Sequence, residues 1–190
     1  KKAIDLGFTE IIITGVNLEK YTPGLTNLTQ SLLQKTSAPL ISFGSIPLNC
    51  INDDFLKLFK EYKSRITNFL HIPLQSGSDK ILKLMNRPYT TQKITKTIES
   101  CKLKIENLKL GTDIIVGFPG ETEVDFQQTH DLCQSIGFSK IHTFRYSPRP
   151  GTASPKLLQT VNKKTKKYRS QLIRNLTFQT TPPFHQKQDN

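Results

Sequence analysis

Thr112-Asp113-Ile114-Ile115-Val116-Gly117-Phe118-Pro119-Gly120-Glu121-Thr122 reads as an apolar strand, a glycine- and proline-bearing turn, and a helix cap. Ile114, Ile115 and Val116 are consecutive β-branched residues, the pattern of a strand buried on both faces. Thr122 is a capping residue, and Phe126, Cys133 and Ile136 recur beyond it on one helical face. A strand buried on both faces needs cover on both sides. A strand–helix step repeated along a chain supplies that cover.

The step recurs on both sides of this stretch. Upstream, Ile11-Ile12-Ile13-Thr14 is an apolar strand, followed by a helix with Asn27 as cap and Leu28, Leu32 and Leu33 on one face. Leu40-Ile41-Ser42-Phe43-Gly44-Ser45 is a second strand, and its helix starts at Asn52, with Asp53 and Asp54 in the first turn and Phe55, Phe59 and Tyr62 repeating. Phe69-Leu70-His71-Ile72-Pro73-Leu74 is a third strand that Pro73 should end. Two helices follow, one capped by Ser78 with Ile81, Leu82 and Met85, the other with Ile94, Ile98, Cys101 and Ile105. Downstream, Lys140-Ile141-His142-Thr143-Phe144-Arg145-Tyr146 is the last strand, and a basic helix is predicted from Val161 to Phe178. Five strands alternating with helices predict a parallel α/β sheet with right-handed crossovers. An open doubly wound sheet and a partial (β/α) barrel both satisfy that pattern.

Hydrophobic residues make up 35% of the chain and charged residues 22%, a globular balance for which 190 residues suffice as a single domain. No apolar run approaches the roughly twenty residues that a membrane helix needs. Cys50, Cys101 and Cys133 stand far apart, which argues against a disulfide framework and for a cytoplasmic protein. Cys101 and Cys133 fall inside helical patterns and are expected to be buried as small hydrophobes. The opening Lys1-Lys2-Ala3-Ile4-Asp5-Leu6-Gly7-Phe8 reads as a helix end stopped by Gly7, the expectation for a chain continued upstream.

Net charge is +12 and unevenly placed. From Ser139 onward there are eleven Lys or Arg and one acid, Asp189. A polyanion held along this segment and a solvated helix face are both consistent with that footprint.

Ligand sites of parallel α/β folds gather where strands end. The unusual clusters here all do so: Gly15-Val16-Asn17, Ser45, Gln75-Ser76-Gly77-Ser78, Gly117-Phe118-Pro119-Gly120-Glu121, and Arg145 to Thr152. Gly15 and Gly117 allow close approach of a ligand to the backbone. Gln75 and Ser76 suit ribose hydroxyls or a carboxylate, and Arg145 and Arg149 suit a carboxylate or phosphate. Gly117-Phe118-Pro119-Gly120 offers main-chain amides beside an aromatic face, though Pro119-Gly120 by itself reads as a turn before the Thr122 cap. His71 and His142 read as satisfied core histidines. Asp113, a carboxylate in an apolar strand, is either a hydrogen-bonded anchor or a site residue. The sequence has no Cys/His metal spacing, no phosphate-loop motif and no distinguishable Ser–His–Asp set.

Four of these clusters, taken together, resemble the radical S-adenosylmethionine methylthiotransferase family. The likeness runs from Lys1 to about Phe178 and is most specific in His71-Ile72-Pro73-Leu74-Gln75-Ser76-Gly77-Ser78-Asp79 with Leu82-Lys83-Leu84-Met85-Asn86-Arg87, in Asp113 to Glu121, and in Tyr146 to Thr152. It implies a partial (β/α)6 radical SAM barrel over 1–160 lacking the first strand and cluster loop, a basic helix over 161–178 and a disordered tail over 179–190. In such enzymes a [4Fe–4S] cluster reduces S-adenosylmethionine to a deoxyadenosyl radical, and a second cluster serves sulfur insertion. By motif position, the resemblance places the cofactor's methionine end near Gly15, Val16 and Asn17, with Ser45 also at the cofactor. It places ribose near Gln75 and Ser76, adenine near Gly117, Phe118 and Tyr146, and substrate near Arg145 and Arg149.

Gln75-Ser76-Gly77-Ser78 is similar to the tRNA-modifying members, and Thr14-Gly15-Val16-Asn17-Leu18 with Ser45-Ile46 to the branch acting on N6-threonylcarbamoyladenosine; the isopentenyladenosine branch is the near alternative. The implied reaction is C2 methylthiolation of a modified adenosine beside the anticodon, with the tRNA anticodon stem-loop as partner. Two departures stand out: Cys-x-x-x-Cys-x-x-Cys is absent, and Ile46-Pro47 lacks the acid usual in that branch. The first predicts that this chain alone does not turn over. A non-catalytic RNA-binding module and an ordinary nucleotide- or phosphate-binding barrel enzyme are the competing readings.

Overall fold

The computed structural model describes residues 2–37, 40–148 and 160–180. The elements run α1 (Lys2–Asp5), β1 (Glu10–Ile13), α2 (Leu25–Lys35), β2 (Leu40–Phe43), α3 (Asp53–Glu61), β3 (Phe69–His71), α4 (Asp79–Leu84), α5 (Thr91–Lys104), β4 (Lys109–Val116), α6 (Glu123–Ile136), β5 (Lys140–Arg145) and α7 (Lys163–Thr180). Short 3-10 turns at Leu18–Lys20 and Leu48–Cys50 follow the first two strands. The strand–helix alternation read from the sequence is therefore present. The chain forms two compact units, residues 1–74 with 92–111, and residues 75–91 with 112–190.

In the first unit β1 and β2 pair in parallel, with Ile11 opposite Ile41 and Ile13 opposite Phe43. Phe69, Leu70 and His71 of β3 pair in parallel with Lys109, Leu110 and Gly111 of β4. The core contains Ile41, Phe43, Phe55, Phe59 and Leu70, with Phe55 set edge-on to both Phe43 and Phe59 at ring-centroid distances of 5.2 and 5.4 Å. Such aromatic edges add about 0.5–1.5 kcal/mol per pair beyond the area they bury. α3 begins where the sequence places it, the Asn52 side chain accepting from Phe55 N at 2.8 Å. α2 does not: its cap is Gly24, and Asn27 instead donates to Pro23 O at 2.9 Å. Its other end is held by Arg65, which donates to the carbonyls of Leu33 and Thr36 at 2.7 and 2.9 Å, partners for otherwise orphaned helix-end acceptors.

In the second unit Gln75 continues the parallel pairing beyond Pro73, its N–H donating to Asp113 O and its carbonyl accepting from Ile115 N. β4 is longer than the sequence indicates, beginning at Lys109. β5 neighbours β4, and Tyr146 N donates to Val116 O at 2.9 Å. α6 starts on the predicted Thr122, as a reciprocal capping box with Asp125. It stops on Gly137 in the left-handed conformation, φ 69°. α7 packs against β5 and α6 through Arg169, Ser170, Ile173 and Leu176. Residues 181–190, most of the expected disordered tail, lie outside the described residues.

Candidate functional site

At the ends of β1 and β2, Gly15, Val16, Asn17 and Ser45 are all exposed, Val16 completely so. Strand register and the Gly44 N to Ile13 O bond of 2.9 Å make these two ends neighbours. The bareness of Gly15 serves the chain itself: a β-carbon there would stand 2.9 Å from Cδ2 of the buried Leu18. The two 3-10 turns and helices α2 and α3 enclose a cleft of about 570 Å3 lined by Glu19, Gln30, Cys50, Asp54 and Lys57 among others. No residue singled out from the strand ends lies in that lining.

Gln75 adopts a left-handed backbone, φ 72°, uncommon outside glycine and concentrated where surrounding structure forces it. Ser76 is buried, its hydroxyl 3.2 Å from Thr129 Oγ1, and Thr129 Oγ1 also accepts from Gly77 N at 2.9 Å. The Ser76 hydroxyl therefore ties the strand end to α6, while Gln75 is half-buried. Ser78 precedes α4 without capping it; its hydroxyl donates to Asp125 at 2.7 Å. Gly77 is pressed onto α6. A β-carbon there would lie 2.6 Å from Thr129 Cα and 2.9 Å from Gln128 O, backbone atoms that cannot swing away. Gly77→Ala is therefore expected to cost about 1–3 kcal/mol through overpacking, read as a lowered melting temperature.

The turn after β4 is organised by a buried carboxylate. Glu121 Oε1 accepts from Gly117 N at 2.9 Å and from Arg169, whose second arm reaches Glu123 at 2.7 Å. Arg169 is buried with its guanidinium 5.1 Å from the Phe126 ring. Burial raises the Glu121 carboxyl above its ordinary value despite the Gly117 amide and Arg169. The Gly117 amide, read from the sequence as open to a ligand, is thus committed to Glu121. Pro119-Gly120 is the simple turn, with Glu121 N donating to Phe118 O at 2.9 Å. Asp125 joins the same network, accepting from Ser78, Lys80 Nζ (2.7 Å), Thr122 N (2.9 Å) and Thr122 Oγ1 (2.6 Å). Burial opposes its ionisation, yet these donors outweigh it and hold the carboxyl well below the usual carboxylate range.

Phe118 and Tyr146 meet edge to face, centroids 5.2 Å apart at 71°. Over them lies Lys166, its Nζ 5.1 Å from the Tyr146 centroid and donating to Tyr146 O at 3.1 Å. Arg145 is exposed on β5, and Arg149 lies outside the described residues. Asp113 is hydrogen-bonded to His142 at 3.3 Å, and His142 is exposed rather than in the core. His71 is buried, as expected. Glu121 belongs to a strand-end cluster visible in the sequence, whereas Asp125, Lys166 and Arg169 were not singled out there. One signal was present: Lys166, Arg169, Ile173 and Leu176 fall at spacings of three and four, so the two cations continue an apolar helix stripe.

A model of the radical SAM superfamily matches residues 1–133. The chain belongs to that superfamily. Among its relatives, the threonylcarbamoyladenosine tRNA methylthiotransferase MtaB of Thermotoga maritima is 38% identical over 172 residues, which cover 88% of this chain and 39% of that protein. The tRNA-2-methylthio-N(6)-dimethylallyladenosine synthase of Endomicrobium trichonymphae is 36% identical over 171 residues, covering 88% and 40%. This radical SAM chain thus spans about two-fifths of the length of these relatives, and both kinds are tRNA methylthiotransferases. In fold it is similar to the radical SAM enzyme coproporphyrinogen III oxidase HemN of Escherichia coli, at TM-score 0.63 and 18% identity over 81% of this chain and 36% of that one. It is likewise similar to methylornithine synthase PylB, at TM-score 0.60 and 13% identity over 92% and 49%. These likenesses bear out the partial TIM-like radical SAM fold and the methylthiotransferase resemblance.

Membership implies S-adenosylmethionine and a [4Fe–4S] cluster in general. The cysteines of these 190 residues do not fit a cluster, whose ligands are thiolates. Burial pushes the thiols of Cys101 and Cys133 up to about 11 and about 12, and that of Cys50 upward with help from Glu19. Cys101 and Cys133 are buried in helices, the small-hydrophobe role expected of them. No helix among the described residues is long and apolar enough to cross a membrane.

Proposed function

We propose that this chain is the cofactor- and RNA-facing part of a tRNA methylthiotransferase that adds a methylthio group to C2 of N6-threonylcarbamoyladenosine beside the anticodon. The observation that carries the reading is the 38% identity to a threonylcarbamoyladenosine tRNA methylthiotransferase over most of this chain. The comparable identity to dimethylallyladenosine synthases makes isopentenyladenosine the second substrate reading. S-adenosylmethionine is assigned to the strand ends by motif position: its methionine part to Gly15, Val16 and Asn17, with Ser45 also at the cofactor, its ribose side to Gln75 and Ser76, its adenine to Gly117, Phe118 and Tyr146. Arg145 and Arg149 are assigned to the substrate. Cluster ligands lie outside these residues, so the 190-residue chain by itself is expected to bind without turning over.

The test is mass spectrometry of nucleosides from tRNA treated with the chain joined to a Cys-x-x-x-Cys-x-x-Cys segment and reconstituted anaerobically with iron and sulfide. 2-Methylthio-threonylcarbamoyladenosine is the expected product. The isopentenyl analogue would move the protein to the neighbouring branch, and a protein that binds no iron would overturn the enzyme reading.

RNA contact is assigned to the outer face of α7. Lys163, Lys164 and Lys167 are exposed there beside Tyr168, which is 58% exposed. Anticodon stem-loop binding should weaken steeply with salt as counterions are released. Replacing Lys164 and Lys167 together by Ala should flatten the log K against log salt slope by about 1–2. An unchanged slope would place the RNA elsewhere, and no binding at low salt would remove RNA from the reading.

A further inference from the structure

Lys166 occupies the face assigned to adenine. Gly117 has φ 73° and no side chain, and the lysine stem lies directly on it: a β-carbon at Gly117 would stand 2.4, 2.9 and 3.0 Å from Lys166 Cγ, Cε and Cδ. The ammonium is tethered to Tyr146 O and rests over the Tyr146 ring. Burial lowers its proton affinity and the Glu121 carboxylate partly restores it. No flat group can lie against Gly117 while Lys166 stays. Without Lys166, the face would offer a bare α-carbon, an aromatic pair and the Tyr146 carbonyl. That is the complement of a planar aromatic amine such as adenine.

The same helix turn that half-buries Lys166 exposes Lys163, Lys164 and Lys167. A phosphate along that turn would offer the Lys166 ammonium a charge-assisted partner, stronger than a neutral carbonyl and a ring face. Resting on the cofactor and RNA reading above, we propose that Lys166 is an exchangeable occupant of the Gly117–Tyr146 face: it closes the adenine subsite in the free chain, and RNA on α7 draws it off. Adenosyl ligand and RNA then bind cooperatively, and by linkage each raises the other's affinity by the same factor.

The experiment uses the 190-residue chain, S-adenosylhomocysteine as probe and a labelled anticodon stem-loop, each titrated alone and then in the presence of the other. Saturating stem-loop is expected to tighten the probe by about tenfold, within the usual range of site–site coupling. Lys166→Ala, which removes the stem lying on Gly117 together with the charge, should bind the probe more tightly without RNA and lose the RNA effect; Lys166→Arg should keep it. Lys164→Ala with Lys167→Ala should reduce the RNA effect while leaving the RNA-free probe affinity as it is, and it relies on no buried residue. Equal probe affinity in wild type and Lys166→Ala, with and without RNA, would overturn the proposal and leave the cofactor assignment standing. A probe bound by neither protein would overturn both.

Discussion

Arg169→Met is expected to destabilise the chain by about 3–5 kcal/mol, because it strands a buried carboxylate. Arg169 is only 4% exposed and holds Glu121, itself 7% exposed, along with the more exposed Glu123. Methionine replaces the aliphatic stem but neither the guanidinium beside Phe126 nor its charge-assisted bonds. Glu121 would be left with the Gly117 amide alone. The pH dependence has a definite sign. Burial already raises the Glu121 carboxyl in the folded chain, so ionising it costs stability as pH rises from the unfolded value through the folded one. Losing Arg169 enlarges that cost, so the variant's deficit should be greater in mildly alkaline than in mildly acidic buffer. Glu121→Gln in the Arg169→Met background should recover part of the loss. Urea unfolding of the four proteins of the cycle reads the coupling directly. A deficit below about 1 kcal/mol would mean that solvent reaches Glu121.

Asp125→Ala is expected to cost about 3 kcal/mol near neutral pH, through loss of an N-cap partner and of donors stranded in a buried setting. Ser78 and Thr122 lose this acceptor and Lys80 keeps only the Gly120 carbonyl, which unlinks the start of α4 from the start of α6. Because the folded carboxyl is held below its ordinary value, its contribution is complete above the unfolded value of about 4 and is lost as pH falls below it. Wild type and Asp125→Asn should therefore differ most near neutrality and converge in acid. Parallel stability–pH curves would assign the acid sensitivity to another group.

Elements whose determinants are local were legible in the residues. β1 and the C-terminal half of β4 are β-branched runs, β2 alternates buried Ile41 and Phe43 with less buried neighbours, and Asn52 and Thr122 cap helices three residues from the amides they serve. Gly137 stops α6 because only a residue without a β-carbon takes that backbone freely. Where two local solutions compete, the sequence reading chose the wrong one. Asn27 has the chemistry of a cap, but it sits inside the first turn of a helix already begun at Gly24. Ser78 stands at a cap position, but the Asp125 carboxylate, 47 residues away in sequence, takes its hydroxyl.

The order of strands and helices, their parallel sense and the clustering of unusual residues at strand ends were determined by the sequence alone, since period, β-branching and turn residues act within a few positions. What each strand-end residue does was decided only by tertiary structure. Ser76 is a tie to Thr129, the Gly117 amide belongs to Glu121, and the Gly117 face belongs to Lys166. α7 reads as one basic stripe, yet packing divides it: Arg169 and Lys166 turn inward to a buried carboxylate and a backbone carbonyl, while Lys163, Lys164 and Lys167 remain in solvent. A cation is buried only where a distant partner offsets its desolvation. The partners here, Glu121 and Tyr146, lie 48 and 20 residues away along the chain, beyond the reach of any local pattern.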